Sequence, residues 1–188
     1  MKVRILFLIC FLCITCLLNA ADKPVIQIHT DNSSLIFHVA DNGRLYQSYL
    51  GKKLNHETDI SHLPQGTEAY ITHGMEDYFE PAIHILHNDG NPSLLLKYVS
   101  HETKAVSQGV NETIITLGDD KYPVTVKLHY VTYPAEDIIK TYTEISHKEK
   151  KPVVLHQYAS SMLHLNRAKY YLTEFSGDWA HEANISDQ

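Results

Sequence analysis

The chain has 188 residues, 44% of them hydrophobic and 20% charged, which is enough apolar material for one packed domain and excludes a disordered chain. Its 16 Lys and Arg against 22 Asp and Glu leave a net charge of −6. A nucleic-acid binder needs a basic face to displace counterions from phosphates, so that class is excluded.

The first twenty residues read as a secretory signal peptide. Lys2 and Arg4 precede an apolar run from Ile5 to Leu18, and Leu18-Asn19-Ala20 supplies the small residue at which such segments are cut. The run is short for a membrane span, which needs roughly 20 residues. The expectation is therefore a product exported to the periplasm or the cell exterior, with no membrane anchor after cleavage. Cys10, Cys13 and Cys16 all lie in the run, so the mature chain has no cysteine for a disulfide, a zinc ligand or a thiol nucleophile. Losing Lys2 and Arg4 leaves 14 cations against 22 anions, a net charge of −8.

From Val25 onward the apolar pattern has a period near two, which predicts strands. They are expected over 25–29, 35–39 and 44–50, with Asp41-Asn42-Gly43 as a hairpin turn. Residues 52 to 80 break the alternation with Pro64, Gly66 and Gly74; a connection that long is usually functional or packed against something. Strands resume over 82–86, 94–99, 112–117, 124–130, 138–146, 153–163 and 170–175. Turns every 8 to 12 residues, and no long helix, predict an all-β sandwich of mostly antiparallel strands. His147-Lys148-Glu149-Lys150-Lys151 reads as a solvated hairpin tip. The chain stops six residues after the aromatic turn 176–182, which predicts something further downstream.

Catalytic signatures are sparse. His84 and His87 are three apart, a spacing that puts them on opposite faces of a strand and argues against a shared zinc ion. Neither a Gly-x-Ser-x-Gly elbow nor a phosphate-cradling glycine loop is present. Asn32, Asn111 and Asn184 open glycan-acceptor triplets, which matter only in a eukaryotic secretory pathway. On residues alone the chain reads as a binding or supporting module, and no cofactor or metal is expected.

Longer motifs carry a resemblance. The run His73-Gly74-Met75-Glu76-Asp77-Tyr78-Phe79-Glu80-Pro81-Ala82 resembles the segment before an early strand in family 36 glycoside hydrolases. Leu45 to Lys52 resembles the opening hairpin of the same domain, and Asp89-Gly90 with Leu96 to His101 its next stretch. Tyr170 to Glu182, with Gly177-Asp178-Trp179, is similar to its closing strand and Gly-x-Trp turn. The motifs occur in order through residues 25 to 186.

After the signal peptide at 1–20, the resemblance implies an N-terminal β-supersandwich domain of an exported α-galactosidase at 21–188. The catalytic (β/α)8 barrel and its two aspartates belong to segments missing from this chain, so the chain is not expected to hydrolyse anything alone. It implies a homo-oligomer of the full-length enzyme, with an α-galactoside as partner. It also implies two substrate-binding residues, Trp179 and Asp59. A galactose ring has an apolar face that stacks on an indole, although a Trp that plugs the sandwich or a domain interface is the plain alternative. Asp59 lies after the Gly51-Lys52 step, where family members place an acid for sugar hydroxyls; a solvated carboxylate is the alternative. Tyr70, Asp77 and Glu80 flank the first motif and read as loop anchors. A free-standing carbohydrate-binding sandwich is the competing function.

Overall fold

The computed structural model describes residues 23–75, 79–165, 173–178 and 181–187. The export segment and all three cysteines lie outside the described residues. Twelve strands and one short helix are described: β1 Val25–His29, β2 Ser33–Val39, β3 Leu45–Lys52, α1 Glu57–Ser61, β4 Thr67–Glu68, β5 Ile83–Leu86, β6 Leu96–Ser107, β7 Val110–Asp119, β8 Val124–Tyr133, β9 Ile138–His147, β10 Val154–Tyr158, β11 Thr173–Asp178 and β12 His181–Asp187. All strand ladders are antiparallel. Two four-stranded sheets, ordered β1-β2-β3-β4 and β6-β7-β8-β9, form the all-β sandwich; β5 with β10 and β11 with β12 make two smaller ribbons.

Period-two patterning builds the core. Ile26 and Ile28 of β1, with Leu35, Phe37 and Val39 of β2, belong to one buried cluster with Val124, Val126, Leu128 and Tyr130 of β8. The Phe37 and Tyr130 rings meet at 5.2 Å between centroids. Each such side chain contributes roughly 1.5–3 kcal/mol on burial, which is why these strands were legible in the sequence. The β2–β3 ladder slips by one residue, pairing Ile36 with Tyr49 but Phe37 with Gln47. Ser48 is the extra residue, and both Gln47 and Ser48 are buried.

The turn after β2 is wider than expected. Ala40 N donates to Arg44 O at 3.0 Å, and among its residues only Gly43 has a positive φ, of 79°. Beyond Tyr98, β6 runs further than hydropathy indicated because its outer stretch is polar and exposed, held by its ladder to β7. Irregularities between Tyr98 and Ser100 and between Ala105 and Ser107, with Lys104 between them, guard that open edge against pairing with another chain.

The segment 52–80 is built from α1, β4 and a parallel bridge between Thr72 and Ile83, with Ala69, Tyr70 and Ile71 in the core. At the expected solvated tip His147, Lys148, Lys150 and Lys151 are exposed, and Glu149 is the exception. The Glu149 side chain is only 2% exposed: it accepts from His87 Nδ1 at 2.7 Å and from Asn88 N at 3.1 Å. Charge density alone concealed this, because the partner sits 62 residues earlier. The opposite end is tied by Asp137, at φ 56°, which accepts from the hydroxyls of Thr30 and Ser33. An aspartate tolerates that left-handed conformation better than most residues.

Candidate functional site

Asp59 lies in α1, a single turn that follows β3. Its loop leaves the sheet along fixed bonds: Lys53 N to Asn32 O at 2.6 Å, Leu54 N to Ser34 Oγ at 3.0 Å, and Tyr49 Oη to Lys52 O at 2.7 Å. It returns through Gly66, whose φ of 75° and close approach to the Gln47 carbonyl leave no room for a side chain. Inside the helix Asp59 N donates to His56 O at 3.0 Å, and Glu57 and Asp59 put negative charge in the first turn. Ser61 Oγ and His62 Nδ1 both donate back to Thr58 O, at 3.0 and 2.6 Å. Asp59 itself is exposed, so its carboxylate is presented outward on a braced turn.

Ile60 and Leu63 face back toward the first sheet. With Ile36, His38, Ser48 and Ser61 they line a cleft of about 250 Å³. His38 Nδ1 is hydrogen-bonded to Ser48 Oγ, and burial lowers the His38 pKa, favouring the neutral ring at neutral pH. The cleft thus offers a hydroxyl and an imidazole beneath the turn that carries Asp59.

The other candidates divide. Trp179 and Asp77 lie outside the described residues. Tyr70 is an anchor: its ring is in the core, its hydroxyl donates to Ala159 O at 2.8 Å, and burial raises its pKa to about 12. Glu80 is exposed and accepts from Gln157 Nε2 at 2.8 Å. His84 and His87 go to different surroundings, as their spacing required; His87 stacks on Tyr122 at 3.5 Å while His84 meets two other histidines. Among the described residues, no group of three or more His, Cys, Asp or Glu is placed to hold a metal ion. No described helix is long and apolar enough to cross a membrane.

One positioning residue was not visible in the sequence. Gln47 Nε2 donates to His164 O at 2.8 Å, and His164 N donates to Gln47 Oε1 at 3.2 Å. The side-chain amide acts as a rung of ladder for a chain segment 117 residues away, and His164 Nε2 adds a bond to Glu68 O at 2.8 Å. The only signal was a Gln at an inward strand position, too common to read.

Comparison with known proteins decides the family. Residues 43–188 match the glycosyl hydrolase family 36 N-terminal domain. The chain belongs to this family. The family 36 N-terminal domain seen here resembles part of the α-galactosidase from Lactobacillus brevis at a TM-score of 0.75 and 20% identity, covering 88% of this chain and 27% of that one. Variants of the family 36 α-galactosidase AgaA from Geobacillus stearothermophilus, in complex with raffinose and with stachyose, give TM-scores of 0.79 and 0.78 at 18% identity. Each is covered over 28% of its length, and this chain over 88%. The chain therefore spans under a third of these enzymes, and at such identities the likeness shows the fold. No curated protein matches the chain.

Proposed function

We propose that the chain is the N-terminal domain of an exported α-galactosidase, supporting a catalytic barrel and lending sugar contacts to its rim. The observation that carries this reading is the family match over residues 43–188, joined to a fold shared with just over a quarter of several α-galactosidases. Hydrolysis of terminal α-D-galactosyl residues belongs to the barrel, and this domain packs on it and contributes to a homo-oligomer. Export follows from the apolar run at Ile5 to Leu18 behind Lys2 and Arg4.

Asp59 and Trp179 carry the contacts. An exposed carboxylate on a short, braced turn accepts charge-assisted hydrogen bonds from sugar hydroxyls with little side-chain ordering cost. An indole covers the apolar face of the ring. That two variants of one such galactosidase were solved with raffinose and with stachyose supports an α-galactoside as the ligand class.

The test is hydrolysis of a chromogenic α-galactoside by the 188-residue product beside a version extended to the natural stop. Activity in the extended form alone is expected, with Asp59→Asn and Trp179→Ala each raising KM several-fold. Activity in the short chain would overturn the assignment. Saturable sugar binding by an inert short chain with no longer reading frame would favour the free-standing binding module.

A further inference from the structure

Three of the 13 histidines stand in one column. The His73 and His84 rings stack with centroids 3.7 Å apart and planes 21° from parallel, and His84 meets His156 at 4.8 Å and 36°. The rings come from three segments. His84 is on β5, His156 is the irregular residue of β10 between Leu155 and Gln157, and His73 follows the Thr72–Ile83 bridge. β5 is thus the middle member, bonded to the 71–73 segment through Ala82 N to Ile71 O at 2.8 Å and His73 N to Ile83 O at 3.0 Å. Rings stacked face to face do not aim their nitrogens at a common ion, so a shared metal does not explain the column.

The column's charge state matters because β10 is lightly held. Its described ladder is to β5 alone, and Val154, Leu155 and Tyr158 are 50%, 42% and 62% exposed. Within the three segments the other titratable group is Tyr158, and Tyr70, Glu80 and His87 flank them. Glu80 is engaged by the Gln157 amide at 2.8 Å, and His87 by Glu149 at 2.7 Å. Burial first, and then the neighbouring His73 and His156, hold the His84 imidazole below its ordinary value.

We propose that His84, stacked between His73 and His156, is an acid-sensitive latch, which holds β10 and the 71–73 segment on β5 while its ring is neutral and loosens as that ring takes a proton. The folded state binds a proton at His84 less well than the unfolded chain does. The latch is therefore intact above about pH 6.5 and weakens as pH falls below it. Ala159 follows β10 and donates to Ala82 O at 2.7 Å, and the chain then leads through Gln47-bound His164 toward Trp179. Tyr70 and Gln47 hold Ala159 and His164 to the core, so the loosening ends at β10. This inference goes beyond the galactosidase reading and stands without it.

Hydrogen exchange read by mass spectrometry on the full chain at pH 7.5 and 5.0, corrected for intrinsic rates, tests it. Peptides over 71–73 and 154–158 are expected to lose protection about tenfold at the lower pH, while β2 and β8 keep theirs. His84→Phe keeps a flat ring without a titrating proton and is expected to abolish both losses. His156 is exposed, so His156→Phe is the safer variant for folding; it is expected to shrink the loss at 154–158 and leave that at 71–73. Unchanged protection in the native chain overturns the latch, as does a full-sized loss at 154–158 in His156→Phe.

Discussion

Substituting Glu112 is the sharpest test of how the outer face of the second sheet is held. Glu112 Oε1 accepts from Tyr142 Oη at 2.6 Å and from His129 Nδ1 at 2.9 Å, and Oε2 lies 3.1 Å from Lys104 Nζ. The His129 ring stacks on Tyr142 at 4.3 Å. These bonds, that of Tyr142 foremost and then that of His129, pull the Glu112 pKa from 4.5 to about 2. The same contact raises the Tyr142 pKa. At 1.36 kcal/mol per unit the Glu112 shift is worth at most about 3 kcal/mol. The carboxylate is 9% exposed but Lys104 is 54% exposed, so solvent screening brings the expected contribution to about 1–2 kcal/mol.

Because the folded pKa is depressed, this stability is complete above the unfolded value near 4.5 and is lost as pH falls toward 2. Glu112→Gln should cost about 1–2 kcal/mol at pH 7, a Tm lower by about 2–8 °C. Other acids with depressed pKa values, Asp41, Asp89, Asp137 and Glu149, also contribute to acid unfolding. The difference between native and variant is therefore the quantity to follow, in urea melts from pH 7 to 3. That difference should narrow below pH 4.5. A gap that stays constant across the range refutes the assignment of the shift to Glu112.

Three further outcomes follow from the fold. Gly66→Ala would put a Cβ 1.9 Å from Gln47 O at a φ of 75°, so a loss of more than about 2 kcal/mol in urea melts is expected; Gly90→Ala, at φ 84° with nothing within 4 Å, should cost about 1 kcal/mol. Gln47→Leu strands the His164 N–H and C=O, which should cost about 2–3 kcal/mol and expose residues 162–165 to limited proteolysis. His87→Phe keeps the stack on Tyr122 but removes the main partner of the buried Glu149 carboxylate. A loss of about 3 kcal/mol at pH 7 is expected, and a smaller one at pH 4, where that carboxyl can take a proton. An equal loss at both values would show that the hydrogen bond to Glu149 is not what Phe removes.

The parts of this fold that were legible in the sequence are those where one face is apolar and the other wet. β1 and the first half of β8 alternate residue for residue, and β2 keeps its inward positions at Leu35, Phe37 and Val39, because these side chains must leave water. The misses have a common cause. β6 beyond Tyr98 gains little from burial, so hydropathy fell silent although the ladder to β7 continues. β12 was missed for the same reason: His181 to Asp187 offers too few apolar positions to register as a strand, yet it pairs with β11. Glu149 read as solvated because a charge is identified by its partner, and His87 is distant in the chain. Asp59 is proposed on likeness to a family, since an exposed acid carries no pattern of its own.

The buried acids bear on where catalysis can lie. Glu68 is gripped by the Arg44 guanidinium, with Nε 2.8 Å from Oε1; Glu112 by Tyr142 and His129; Glu149 by His87 and Asn88. A retaining glycosidase needs two carboxyls about 5 Å apart, one of them holding its proton near neutral pH. Hydrogen bonds do the opposite here: they depress Glu112 and, against the pull of burial, Glu149 as well, which leaves both ionised. These carboxylates tie β7, β8 and β9 together and sew the 148–151 segment to the turn after β5, as Gln47 and Tyr70 tie down residues 159–164. Polar groups committed in this way to holding the chain to itself favour a rigid support over a reaction centre.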